Sequence, residues 1–128
     1  MPTPNFVSKS MVLSIHARQI EKFGGTPGVR DEGLLESALA QPQATLGGHF
    51  LHPTISEQAA AYLYHIAMNH PFIDGNKRTA FAVMDTFLRL NGCALNLTDD
   101  RAYDLVMRVA RGTMTKEELS TEFESCIV

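Results

Sequence analysis

The segment from Asn76 to Leu90 constrains the fold more than any other part of the sequence. Its pattern is helical, and apolar side chains occupy almost every side of that helix. Such a helix cannot face water and has to be enclosed by other elements. Asp85 and Arg89 have the i,i+4 spacing of an ion pair and fit the strip that stays exposed. The sequence therefore predicts a helix at the centre of a bundle.

Five other segments show helical periodicity that begins at a capping residue. Ser14 is the predicted cap of the first helix, and Thr54 begins the third, with Glu57 placed for a capping box. Residues 42–53 break the pattern and are predicted to form a loop or a short hairpin. No strand pattern exceeds a few residues, so the predicted fold class is all-α, a single compact bundle of about six helices. The predicted helices cover residues 14–23, 31–40, 54–69, 76–90, 99–110 and a last segment capped by Thr115.

Length and composition predict one globular domain over residues 1–128, with an apolar fraction of 45% that is enough for a core. The net charge is only −3 and the signs are mixed, so direct nucleic-acid binding is not expected. Cys93 and Cys126 lack the spacing of a metal site or a disulfide framework, which suits free thiols in a reducing cytoplasm. No apolar run reaches the roughly 18 residues of a membrane span, and no signal-peptide pattern is present. We therefore expect a cytoplasmic protein without membrane contact.

The residues just before the central helix carry most of the chemically able side chains. Gly75 tolerates the backbone angles of a tight turn, and Asn76 is the predicted N-cap of the helix. The backbone amides of Lys77, Arg78 and Thr79 would then be free donors that favour an anion, strengthened by the helix dipole. Two cations at a helix N-terminus oppose that dipole, which makes sense if a polyanion such as a phosphate chain binds there. The pattern predicts a phosphate site.

Two further side chains extend this site towards catalysis. Asp74 lies at its mouth, and a carboxylate beside phosphates is the usual protein ligand of Mg²⁺. His70 can accept a proton near neutrality. Pro71 disfavours helix at the preceding residue, which presents His70 on a loop. A base, a metal carboxylate and a phosphate site together indicate transfer of a phosphate-containing group to a hydroxyl.

Residues 70–78, HPFIDGNKR, resemble the Fic/Doc signature HxFx(D/E)GNxR over nine contiguous positions. Residues 23–39, FGGTPGVRDEGLLESAL, also resemble the corresponding region of Doc-type proteins. Lys77 after the asparagine is similar to the death-on-curing (Doc) branch. The AMP-transferring Fic branch has Gly there and a second Arg where this chain has Phe81. The resemblance is therefore to the Doc branch.

This resemblance implies a toxin, neutralised by a cognate antitoxin, that phosphorylates a threonine of elongation factor Tu and stops translation. ATP and Mg²⁺ would be required, with His70 as the catalytic base and Asp74 as the metal ligand. The phosphate-binding residues would be Gly75, Asn76, Lys77 and Arg78. Residues 44–54 would form a flap over the active site that helps to position the target.

Two alternatives stay open at this point, an AMP-transferase of the Fic type and a non-enzymatic binding protein on the same fold. Three weaker features are also noted. His16 is either a core or surface residue or part of a site. His49 and His52 suggest a metal site without a third ligand. Residues 120–124 spell SxxxE, which resembles a self-inhibitory helix of some Fic proteins but lacks the Gly or Asn that follows there.

Overall fold

Six helices and one short hairpin make up the computed structural model, which describes residues 3–128. The prediction of an all-α bundle of about six helices is confirmed. None of the helices between residues 3 and 128 has the length and apolar character needed to cross a membrane. The elements are α1 (Lys9–Phe23), α2 (Glu32–Ala40), β1 (Thr45–Leu46), β2 (His49–Phe50), α3 (Ile55–Asn69), α4 (Asn76–Leu90), α5 (Asp99–Ala110) and α6 (Lys116–Cys126).

The α3–α4 pair forms the centre of the bundle. α4 has the predicted bounds and packs against α1, α3 and α5, while α3 packs against α2, α4, α5 and α6. Ala59, Ala60 and Ala61 are fully buried, and their small side chains let neighbouring helices approach α3 closely. Burying each large apolar side chain of this core contributes about 1.5–3 kcal/mol. The predicted Asp85–Arg89 ion pair is present on α4, with 3.0 Å between Oδ2 and Nε.

The first helix begins earlier than predicted. Ser8, rather than Ser14, caps α1, and its Oγ accepts a hydrogen bond from the Met11 amide at 3.2 Å. Both serines can cap a helix, so local preference does not choose between them. Val12 decides the start, because it is fully buried and the helix has to include it to place it in the core.

The caps predicted at Thr54 and Thr115 are confirmed, and Asp31 and Thr98 cap α2 and α5. The side chains of Asp31, Thr54, Thr98 and Thr115 each accept a hydrogen bond from the third helical amide. The capping box predicted for Thr54 is not formed, because Glu57 accepts a hydrogen bond from the Thr54 hydroxyl at 2.9 Å instead of from its backbone. A complete capping box occurs at Thr115.

Residues 42–53 contain a hairpin with two-residue strands. Thr45 pairs with Phe50 and Leu46 with His49, on either side of a Gly47–Gly48 turn in which both φ angles are positive. That turn geometry matches the natural twist of a hairpin and suits glycine. Phe50 packs edge-on against Phe6, with 5.7 Å between ring centroids, and so ties the hairpin to the bundle. The flap role of residues 44–54 stays a prediction.

Candidate active site

His70 ends α3 in a left-handed backbone conformation. Its φ is 49° and its ψ is 54°, and no other non-glycine residue from 3 to 128 has a positive φ. The helix stop that Pro71 predicted is confirmed, because α3 ends at Asn69. A left-handed L-residue costs roughly 1–2 kcal/mol, so the surrounding structure has to hold His70 in place. The His70 side chain is exposed, and its Nδ1 lies 3.3 Å from the Met68 carbonyl oxygen.

The segment that follows His70 is pinned by the loop before α2. The amides of Arg30 and Asp31 both donate to the Pro71 carbonyl, at 2.7 and 3.1 Å. The Ile73 amide donates to the Gly28 carbonyl at 3.1 Å. These contacts form a short antiparallel pairing between residues 28–31 and 71–73, and they fix the direction in which the chain leaves His70.

Asn76 closes the loop between α3 and α4 and does not cap α4. The N-cap is Gly75, with φ of 74°, and Asn76 is the first helical residue. The Asn76 side chain accepts from the Phe72 amide and donates to the Phe72 carbonyl, both at 2.9 Å. The predicted capping role was wrong. The loop leaves the backbone amide and carbonyl of Phe72 without backbone partners, and the carboxamide side chain of Asn76 bonds to both.

The free amides at the start of α4 consequently lie one residue earlier than predicted. The Thr79 amide donates to the Gly75 carbonyl at 2.9 Å, so it is not a free donor. In the described structure the amides of Asn76, Lys77 and Arg78 have no acceptor. They point out of the N-terminus of a helix that is anchored in the core, which is the geometry of an anion site.

Lys77 and Arg78 place two cations beside these amides. The Lys77 side chain is exposed, and Arg78 is half-buried. The Arg78 guanidinium donates to the Gly24 carbonyl at 3.3 Å and lies 5.3 Å from the centroid of the Phe23 ring. Arg78 is therefore oriented by the end of α1, whereas Lys77 faces solvent.

Asp74 is held as a carboxylate by backbone amides. Its Oδ2 accepts from Thr26 at 3.2 Å and its Oδ1 from Gly75 at 2.8 Å. The hydrogen bond from Thr26, followed by that from Gly75, lowers the pKa of Asp74. A Cβ on Gly25 would lie only 2.8 Å from Oδ2, so the absence of a side chain at this position allows Thr26 to reach the carboxylate.

The Asp74 carboxylate is suited to Mg²⁺ that arrives with phosphates. It is exposed, ionised, and keeps lone pairs on both oxygens beyond the two amide contacts. No group of three or more His, Cys, Asp or Glu side chains within residues 3–128 is arranged to hold a metal ion. Mg²⁺ commonly uses one protein carboxylate with phosphate oxygens and water as its other ligands, and the residues here match that arrangement.

His16, for which the sequence allows either a core or surface position or a place in the site, lies beneath this loop. It is 4% exposed, stacks on Phe72 with 3.8 Å between ring centroids, and is nearly parallel to it at 7°. Its Nε2–H donates to the Asp74 carbonyl at 2.9 Å. The contact joins residues 58 positions apart, so only the fold reveals it.

One open groove of about 1290 Å³ brings together all the predicted site residues. His70 and Asp74 lie along it with the first turn of α4, and Phe81 from the next turn also lines it. α1 and α5 supply much of the remaining wall. The predicted site residues in the groove are His70, Asp74, Gly75, Asn76, Lys77 and Arg78.

The weaker candidates lie elsewhere. Ser120 lines a small cleft with His52 and Lys116, and α6 contributes no residue to the groove. The resemblance of residues 120–124 to a self-inhibitory helix is therefore not matched by their position. His52 is buried, and burial, followed by the nearby Lys116 charge, lowers its pKa. The proposed metal site at His49 and His52 gains no third ligand among residues 3–128.

Comparison with known proteins identifies the family of this chain. Residues 6–88 match the Fic/DOC family. The chain is 45% identical over 102 residues to the Toxin Doc of Mycolicibacterium smegmatis, and the aligned region covers 78% of each protein. It is also 32% identical over 109 residues to the protein kinase doc of Escherichia phage P1, and this aligned region covers 85% of each protein. The protein belongs to the Fic/DOC family.

Proposed function

We propose that the protein is a Doc-type toxin that transfers the terminal phosphoryl group of ATP to a threonine or serine hydroxyl of a target protein. One relative is a toxin by name and another is a protein kinase by name. The observation that carries the proposal is the placement of His70 on the same groove as the free amides of Asn76, Lys77 and Arg78. A proton acceptor and a phosphate site on one groove suit transfer to a hydroxyl.

Each site residue has a defined task in this reaction. The His70 imidazole takes the proton of the target hydroxyl as its oxygen forms a bond to the γ-phosphorus and the bond to the ADP oxygen breaks. The α4 amides and the Lys77 and Arg78 side chains offset the negative charge of the phosphates. Asp74 would hold Mg²⁺, which when bound neutralises charge on the phosphate oxygens. Gly75 leaves the approach to the helix N-terminus free of a side chain.

Two residues favour phosphoryl transfer over AMP transfer. Lys77 fills space that a glycine would leave open for a terminal phosphate, and it adds a charge there. Phe81 lines the groove at the position where AMP-transferring members of the family have a second Arg. Both differences should change how the nucleotide is oriented, so that the γ-phosphorus faces the target hydroxyl.

The target we propose is elongation factor Tu, and modification of this factor would stop translation. Because translation factors act in the cytoplasm, we propose a cytoplasmic location for the protein. A toxin also requires a neutralising partner, and we propose a cognate antitoxin protein for that role.

Mass spectrometry of the target tests the reaction. Purified elongation factor Tu is incubated with ATP, Mg²⁺ and the protein, and His70→Ala serves as the matched control. A gain of one phosphate with the unaltered protein and none with His70→Ala is expected. A gain of AMP would establish the alternative transferase reaction and overturn the phosphoryl assignment.

Growth experiments distinguish the toxin from a binding protein. Expression of the unaltered chain should inhibit growth, and His70→Ala should not. Inhibition that persists in His70→Ala would show that the chain acts by binding rather than by catalysis. Relief on co-expression of the neighbouring gene's product would identify the antitoxin.

A further inference from the structure

The geometry assigns to Arg30 a positioning role: its guanidinium holds His70 in the left-handed conformation that presents the imidazole to the groove. The inference rests on the proposed function, because it gives His70 the part of proton acceptor. Arg30 Nε donates to the His70 carbonyl at 2.7 Å, and Arg30 Nη2 donates to the Asn69 carbonyl at 2.9 Å. One side chain therefore donates hydrogen bonds to the carbonyl of the last residue of α3, Asn69, and to that of His70, which follows it.

The backbone of the same loop adds to these hydrogen bonds. The amides of Arg30 and Asp31 both donate to the Pro71 carbonyl. Three consecutive carbonyls, those of Asn69, His70 and Pro71, thus receive hydrogen bonds from Arg30 or its neighbour. Since the orientations of consecutive carbonyls define the backbone angles between them, these bonds fix φ and ψ of His70.

Arg30 is suited to this task by its chemistry. A planar guanidinium presents several donors in a rigid fork, so it can bridge two carbonyls at once, whereas the single ammonium of lysine acts as a point charge. Its positive charge also lies at the C-terminus of α3, where the helix dipole favours a cation. The unusual backbone of His70 carries a cost that the Arg30 contacts offset.

Arg30 has no competing partner among the residues that the structure describes. Its side chain makes no ion pair with a carboxylate, unlike Arg101, which pairs with Glu122 at 2.7 Å. Arg30 is itself exposed, so replacing it removes no part of the core. The contact joins residues 40 positions apart and therefore links the loop before α2 to the end of α3.

The test compares Arg30→Ala and Arg30→Lys with Arg101→Ala, a control that removes an exposed, paired arginine from α5. Phosphoryl transfer is measured as separate kcat and KM values for ATP. Since a misplacement of about 1 Å can lower a rate by roughly 10²-fold, we expect kcat of Arg30→Ala to fall about 10- to 100-fold. KM for ATP should change less than about twofold, because the phosphate site is left intact. Guanidinium ion added to Arg30→Ala should restore part of kcat. The kcat of Arg30→Lys should lie between that of Arg30→Ala and that of the unaltered protein.

A second measurement is independent of catalysis. The three-bond coupling between the amide and α protons of His70 and its chemical shifts report φ by NMR. In Arg30→Ala we expect them to leave the left-handed values, while those of Arg101→Ala stay unchanged. The inference is overturned if the His70 coupling and chemical shifts in Arg30→Ala keep their left-handed values and kcat is unchanged. It is also overturned if kcat is lost while the coupling and chemical shifts keep those values, because Arg30 would then act by another route. If the unaltered protein transfers no phosphoryl group, the proposed function fails, and the coupling still decides whether Arg30 holds His70.

Discussion

His16 stacks on Phe72 and donates a hydrogen bond to the backbone carbonyl of Asp74, two residues further along the same loop. The two rings are 3.8 Å apart at their centroids, and the hydrogen bond is 2.9 Å long. Both contacts reach the short connection between α3 and α4, which carries the predicted metal ligand. A buried residue of α1 that does not itself line the groove thus supports the loop.

The two contacts of His16 can be separated by substitution. His16→Phe keeps an aromatic ring against Phe72 but loses the donor, and should lower the free energy of unfolding by about 0.5–1.5 kcal/mol. His16→Ala loses both contacts and leaves a cavity, so its loss should be larger, about 2–4 kcal/mol. Urea unfolding of the purified variants measures both values. Equal losses in the two variants would show that the stack contributes nothing.

Asn76 should be required for the loop itself. Asn76→Ala leaves the amide and the carbonyl of Phe72 without their partners, at a cost of about 1–3 kcal/mol for each buried group left unsatisfied. Asn76→Asp keeps an acceptor for the amide but offers no donor to the carbonyl, so its loss should be smaller. Thermal and urea unfolding test this order. Asn96→Ala is the control, since the hydrogen bond of Asn96 in this structure is made by its backbone amide. A loss in Asn76→Ala no greater than in the control would contradict the role.

The sequence predicted the parts of this site that depend on local preference. The bounds of α4, the stop before Pro71 and most helix caps follow from residues that are close together in the chain. The start of α1 could not be predicted, because two serines compete and burial of Val12 decides between them. The role of the Asn76 side chain could not be predicted either, since the folded loop creates the unpaired groups of Phe72 that it satisfies.

The hydrogen bonds that Arg30 and His16 make to distant backbone carbonyls could not be predicted from the sequence, for a different physical reason. Arg30 and His16 act on carbonyls that are 40 and 58 positions away, and a carbonyl acceptor has no sequence signature. The resemblance of residues 23–39 to Doc-type proteins was the available signal that this region belongs with the motif. It did not indicate which residue reaches which carbonyl.

Gly25 should control the orientation of the proposed Mg²⁺ ligand. A Cβ in Gly25→Ala would lie 2.8 Å from Asp74 Oδ2, and the φ of 122° adds strain. Displacing the carboxylate should weaken Mn²⁺ binding in the presence of ATP by about 10- to 100-fold, the usual effect of disturbing groups that orient a ligand. Electron paramagnetic resonance measures the bound Mn²⁺. Gly112→Ala is the matched control, with φ of 75° and open space around the new Cβ. Similar binding by both variants would show that the close approach to Asp74 has no role in metal binding.

Acid should destabilise the fold through His65, which lies away from the groove. Burial, followed by the charge of Lys116, lowers the pKa of His65 to about 4 from its usual 6.5. The Lys116 ammonium lies 3.2 Å from His65 Nε2, which can accept its hydrogen bond when the ring is neutral. Because the unfolded chain binds the proton more readily, the contribution of His65 to stability is present above about pH 6.5 and is lost as the pH falls towards 4. In His65→Gln the slope of unfolding free energy against pH should decrease by about one proton across this range. Asn96→Ala, which changes an exposed side chain that does not titrate, should keep the slope of the unaltered protein. Urea unfolding at a series of pH values measures the slope, and an unchanged slope in His65→Gln would contradict the assignment.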